Sequence, residues 1–108
     1  TGGKTTVITG NSIAQTDGTK TNTSTAAGNT VADGGKSTAT TADGTTVTNG
    51  ADSTATTAAG TTVTNANGNT NYAADGVRIN TTGKDPVSLT DAGLDNGNNV
   101  IKNVEYKF

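Results

Sequence analysis

Branched aliphatic residues recur at equal intervals along this chain. Val31, Val47, Val63 and Ile79 stand 16 positions apart in an otherwise polar background. A glycine precedes each by three places, at Gly28, Gly44, Gly60 and Gly76, and an alanine precedes each glycine by two, at Ala26, Ala42, Ala58 and Ala74. The unit is clearest in residues 37–49 (STATTADGTTVTN) and 53–65 (STATTAAGTTVTN), which differ only at Asp43 against Ala59. Residues 21–36 and 69–84 are more divergent copies in the same register, and residues 10–20 echo 28–36 with two extra positions. A fixed short period is the mark of stacked supersecondary units, not of an ordinary globule.

Within the unit the pattern is that of short strands. Thr45-Thr46-Val47-Thr48 alternates, with Thr45 and Val47 on one face and Thr46 and Thr48 on the other. Thr and Val favour strands, and residues 37–42 form a second, Thr/Ala-rich candidate. Asp17-Gly18, Asp33-Gly34, Asp43-Gly44, Asn49-Gly50, Asn67-Gly68 and Asp75-Gly76 are turn signals. Each repeat thus holds two strands of about five residues and two turns. If each copy is a solenoid coil, it climbs ~4.8 Å, stacking Val on Val, with the alanines forming a small column in a narrow interior. Beyond Gly76, Val77–Asn80 and Val87–Thr90 read as further strands, with a turn over 81–85 and Pro86 ending any ladder there. Residues 91–99 (DAGLDNGNN) read as a loop. Leu94 and Ile101 are then seven apart, and Ile101, Val104 and Phe108 follow three-and-four spacing. This is the a/d spacing of a coiled coil, so a helical stalk is expected to follow the β region.

Composition changes the picture in one respect. Only 29% of the residues are hydrophobic and 3% aromatic, a content that borders on that of disordered chains. Net charge is only −2, too small to expand the chain, and the aliphatics recur in register. One Val per repeat cannot offset the ordering entropy of the backbone at about 25 cal/mol per Å² of apolar burial. The core is therefore expected to be shared between chains in an obligate oligomer.

Little chemistry is available. There is no Cys and no His, which excludes disulfides and the usual zinc sites. Gly3-Lys4-Thr5 lacks the upstream glycine and flanking strand and helix of a phosphate loop. The Asx-Gly clusters match neither the helix-loop-helix calcium loop nor the GGxGxDxUx β-roll repeat. Asp91 and Asp95 are paired carboxylates without an apolar pocket to raise a pKa. The chain is accordingly read as no enzyme and as needing no cofactor. Seven Lys/Arg against nine Asp/Glu speak against nucleic acid. No apolar run approaches the ~20 residues of a membrane span. No signal peptide is recognisable and the chain opens on Thr1, so it is read as a piece of a longer protein. The regular Thr face is either plain soluble surface or an array that binds protein or glycan at many weak points.

Residues 84–104, KDPVSLTDAGLDNGNNVIKNV, resemble trimeric autotransporter adhesins of Gram-negative bacteria. In that family a segment like VSLTDxGLDNGxNxIxNV closes a β head and leads into a neck, where three chains cross into a coiled-coil stalk. The matching positions are Val87, Leu89, Thr90, Gly93, Leu94, Asn96, Gly97, Asn98, Ile101, Asn103 and Val104. Residues 61–79 also resemble the Thr/Asn/Gly repeats that precede such segments. The family's familiar head repeat carries an SVAIG-like pentapeptide, and the nearest matches are Asn11-Ser12-Ile13-Ala14 and Asn29-Thr30-Val31-Ala32. The chain has no tryptophan, for which some modules of the family are named.

The resemblance implies an all-β, repetitive, homotrimeric head, either a left-handed β-roll or a three-sided β-prism, turning into a neck and the start of a coiled coil. Residues 1–80 would form the head repeats, 81–93 the closing β segment and 94–108 the neck. It implies a bacterial cell-surface fibre, exported and anchored in the outer membrane through a C-terminal barrel outside this sequence. Attachment to host matrix proteins of the fibronectin, laminin or collagen class, to host cells, and to sister fibres in aggregation or biofilm would follow. Val31, Val47, Val63 and Ile79 are expected in buried columns, with Leu94, Ile101 and Val104 facing a threefold axis at the neck. A spacer within such a fibre and a phage tail-fibre segment are the structural alternatives; a disordered Thr/Gly linker is the remaining one.

Overall fold

A computed structural model describes residues 3–107. Twelve strands follow one another: β1 (Lys4–Ile8), β2 (Ser12–Asp17), β3 (Lys20–Thr25), β4 (Gly28–Asp33), β5 (Lys36–Thr41), β6 (Gly44–Asn49), β7 (Asp52–Thr57), β8 (Gly60–Asn65), β9 (Gly68–Ala73), β10 (Gly76–Thr81), β11 (Val87–Thr90) and β12 (Gly93–Asp95). They form one sheet in which every strand pairs antiparallel with the next, in chain order. The 16-residue repeat is therefore a β-hairpin, two strands of six residues and two turns of two. Nothing packs on either face, and no described residue is fully buried. The molecule measures 74 × 25 × 25 Å, with the strands following one another along its length.

The ribbon uses two kinds of turn, sorted by edge except at residues 66–67 of the first edge, where Asn65 Oδ1 accepts the N–H of Asn67 and Gly68 follows with φ of 153°, as on the second edge. On the first edge Gly18, Gly34 and Gly50 open the turns with φ of 61°, 60° and 60°. A glycine with positive φ at the first central position belongs to the tight hairpin turns whose twist matches that of the strands. On the second edge a threonine precedes each of four turns. The hydroxyl oxygens of Thr25, Thr41, Thr57 and Thr90 accept the backbone N–H of Ala27, Asp43, Ala59 and Ala92 at 3.1–3.2 Å. The residues within these turns keep negative φ, a geometry that splays hairpin strands.

The periodic glycine absorbs that splay. Gly44 re-enters the ladder with φ of 157°, and a Cβ placed on it would stand 2.0 Å from the carbonyl oxygen of Thr56 on β7. Gly28, Gly60 and Gly76 repeat the arrangement. The 16-residue glycine thus marks where a second-edge turn hands the chain back to its neighbour's backbone, and Gly68 does the same after the first-edge turn at 66–67.

Several expectations are corrected. Among the described residues no β-roll is seen: consecutive strands run antiparallel in an open sheet. Ala26, Ala42, Ala58 and Ala74 sit in the turns of the second edge and form no interior column. Val does not stack on Val, because a threonine strand intervenes: Val31 faces Thr38, which faces Val47, and Val47 faces Thr54. The hairpin explains this, since alternate strands run in opposite directions and carry different residues. The six Asx-Gly signals all fall at turn boundaries: Asp17, Asp33 and Asn49 end strands and their glycines open the turns, whereas Asp43, Asn67 and Asp75 end turns and their glycines begin the next strands. The loop expected over 91–99 contains β12.

The C-terminal segment departs furthest. Leu94 lies in β12 opposite Leu89, and the described residues contain no helix, so the start of a coiled coil is not seen. Asn98 and Asn103 hold φ of 59° and 57°, a left-handed conformation that interrupts a right-handed helix. Ile101 and Val104 lie outside regular structure, and Phe108 lies outside the described residues.

Two substitutions test the glycine argument. Gly44→Ala places a methyl group against the Thr56 carbonyl and is expected to cost about 1–3 kcal/mol. Gly35→Ala, in open space at negative φ, is expected to stay within about 0.5 kcal/mol. Chemical denaturation followed by circular dichroism measures both.

Candidate interaction faces

Alternation along the strands, carried across by the pairing register, sorts the side chains onto two unlike faces. The apolar face carries a central row: Val31 (β4), Thr38 (β5), Val47 (β6), Thr54 (β7), Val63 (β8), Thr70 (β9), Ile79 (β10) and Val87 (β11). The four periodic aliphatics are thus brought into one line, two strand spacings apart. They are not buried within the chain: Val31 is 52% exposed, Val47 49%, Val63 46% and Ile79 45%. Leu94 shares this face, while Ile101 and Val104 belong to the irregular tail; all three are exposed.

A second row on the same face was not anticipated. Ile8 faces Ile13 at one end, and Tyr72, Val77, Leu89 and Leu94 face one another in succession at the other. These residues fall where the repeat is most divergent, so the 16-residue period does not reveal them. Only the register does. Between them run Thr40, Thr45, Thr56 and Thr61, with hydroxyl pairs at 3.4 Å and 3.2 Å. The opposite face is small and polar, with Val7 its one large aliphatic among the described strands.

The third row, at the first edge, alternates in charge. Lys4, Asp17, Lys20, Asp33 and Lys36 lie opposite one another on β1 to β5 and continue through Asn49 to Asp52. Lys4 approaches Asp17 to 3.9 Å, and the Thr19 hydroxyl donates to Asp33 Oδ1 at 2.7 Å. Opposite charges across strands contribute roughly 0.2–1 kcal/mol per pair, and like charges cost as much. The row therefore favours this register over a slipped one.

Between the charged row and the valine row runs a groove of about 790 Å³ along β1 to β6. Lys20, Asp33 and Lys36 form its rim, and Val31 and Val47 contribute its apolar lining. A smaller hollow of about 230 Å³ lies between Val63 and Ile79. Amide side chains brace the N-terminal part, where Asn22 Nδ2 donates to Gln15 and Asn29 Nδ2 donates to Asn22 Oδ1 at 2.9 Å. Among the described residues no three metal-ligating side chains cluster, and no helix is long and apolar enough to cross a membrane. Of the paired carboxylates of the sequence, Asp91 lies in the turn before β12 and Asp95 ends β12, where its Oδ1 accepts the N–H of Gly97.

The charged row makes a measurable claim. Asp33→Lys sets three lysines side by side and is expected to lower stability by about 0.5–2 kcal/mol at low ionic strength. Most of that loss should vanish in 1 M salt, where the screening length falls to ~3 Å. Asp33→Asn, which keeps an acceptor for Thr19, serves as the neutral reference in the same denaturation series.

No family model matches this chain, and no curated protein or solved structure matches it.

Proposed function

We propose that this chain is one wall of a homotrimeric surface-fibre head of the autotransporter adhesin type, which attaches a Gram-negative bacterium to host matrix proteins, host cells and sister fibres. The observation that carries this reading is the uncovered apolar face. A sheet whose periodic Val31, Val47, Val63 and Ile79 are each about half exposed has not reached the burial its aliphatics can give. Large contiguous apolar patches mark interaction sites. Three walls with their valine rows turned inward would form a three-sided prism, with the polar Thr/Ser/Asn faces outward. The adhesin-like segment at 84–104 supports the same reading. Lys84 and Asp85 stand in the loop between β10 and β11, and Val87 and Leu89 add to the apolar face.

Attachment by such a head works through number and reach. The outward faces present hydroxyls and amides in rows repeated from strand to strand along the sheet. Three walls per fibre and many fibres per cell raise the effective concentration of individually weak contacts.

Three measurements test the reading. Light scattering behind a sizing column, over a dilution series, should give three chain masses. A compact or expanded single-chain mass at all concentrations overturns the shared core. Val47→Asp should dissociate or unfold the assembly, because a charge would be buried without a partner; a mutant trimer melting like the parent overturns the inward face. Binding to immobilised fibronectin, laminin and collagen should exceed background, and binding to none of them assigns the segment to a spacer.

A further inference from the structure

The two edges of the ribbon differ in charge as well as in turn type. The first edge carries both signs, including Lys36 at the start of β5 and Asp52 at the start of β7. The turns of the second edge carry only acids: Asp43, Asp75 and Asp91. Asp75 is met within the chain by Arg78, at 3.4 Å. Neither Lys36 nor Asp43 takes part in an ion pair among the described residues.

Residues 37–49 and 53–65 differ at a single position, Asp43 against Ala59, and that difference follows the residue that starts each strand at the opposite edge. β5 begins with Lys36 and is followed by a turn holding Asp43. β7 begins with Asp52 and is followed by a turn holding Ala59. Lysine goes with aspartate, and aspartate goes with a neutral residue. Within one chain this match has no electrostatic cause. The two ends of a strand lie about 20 Å apart along the backbone, well beyond a screening length of about 8 Å. The other repeats obey the weaker form of the rule: Ala27 follows the strand that starts at Lys20, and Asp75 follows the strand that starts at the neutral Gly68. At none of these four positions does an acidic strand start meet an acidic turn.

We infer that the second edge of one copy seats in the groove of the next, with Asp43 against Lys36 of the neighbouring copy. This rests on the three-copy reading above and specifies its contact. Copies related by a threefold axis along the sheet stand at equal heights, which brings the β5–β6 turn of one wall beside the start of β5 on the next. The shapes agree: the turns at 26–27, 42–43 and 58–59 hold only alanine and one aspartate, small enough to enter a groove lined by Val31 and Val47 and rimmed by Lys36. The contact joins unlike surfaces, and a threefold rotation closes it into a ring with no edge left over.

Charge exchange tests it on the whole chain, read as the concentration at which the trimer half-dissociates. Asp43→Lys and Lys36→Asp should each raise that concentration roughly tenfold to a hundredfold, since three exposed pairs are lost per ring. The double exchange should return it to within about threefold of the parent. Repulsion between a residue-36 carboxylate and Asp33 persists in the double variant, so its recovery reads only the contact between copies. Ala59→Lys should tighten the trimer by facing Asp52, an effect that a folding defect cannot imitate. All shifts should shrink in 1 M salt. A parent trimer indifferent to the single exchanges, or a double exchange without recovery, overturns this contact and leaves the three-copy reading standing. A monomeric parent overturns both.

Discussion

The backbone ladder between neighbouring strands is the interaction on which everything else here depends. A sheet one layer thick has no interior, so no packed core holds a misplaced strand in position. Hydrogen bonds of the ladder must be kept, and their register must be chosen, by local chemistry alone. Each recurrent residue answers to this. Threonine suits the extended backbone on either face and closes the second-edge turns through its hydroxyl. The periodic glycine lets two backbones approach where any side chain would collide. Alternating lysine and aspartate penalise a slip of the first strands. The low apolar content is the natural counterpart of a fold that asks little of its side chains within a single chain.

Strand and turn positions were legible in the sequence because they are local. Asx-Gly pairs mark turns wherever they occur, and Thr45/Val47 against Thr46/Thr48 separates the faces without reference to any neighbour. Strand direction was not legible in the same way. A solenoid coil and a hairpin of 16 residues give one identical aliphatic pattern, since both return Val47 to the face of Val31. Only turn length tells them apart: two-residue connections between six-residue strands join antiparallel neighbours. No helix is seen over the described residues 94–107, for a related reason. The spacing of Leu94, Ile101 and Val104 suits a coiled coil, but Gly93 and the asparagines between them favour β12 and left-handed turns.

The interaction faces were half visible. Val31, Val47, Val63 and Ile79 announce one row through their period, and the pairing places them on one face. Ile8 with Ile13, and Tyr72 with Val77, Leu89 and Leu94, become a second row only once the register is known. The charged row was hidden for the same reason: Lys20, Asp33 and Lys36 are scattered in the chain and adjacent in the sheet. Together these rows make the ribbon unlike itself on every side. It has one apolar and one polar face, and one mixed-charge and one acidic edge. Such a module can meet a copy of itself in few ways, which is what the proposed ring requires.

The hairpin period also governs how the protein can change length. Removing a single strand with its turn would send every later residue to the opposite face and exchange the two edges. Removing or adding a whole 16-residue repeat leaves faces, edges and strand direction as they were. It moves everything beyond it by two strand spacings, about 9.5 Å. The repeat is therefore a unit of distance as well as of fold: by duplication or loss of identical modules, a lineage could set the length of the sheet without redesigning a single contact.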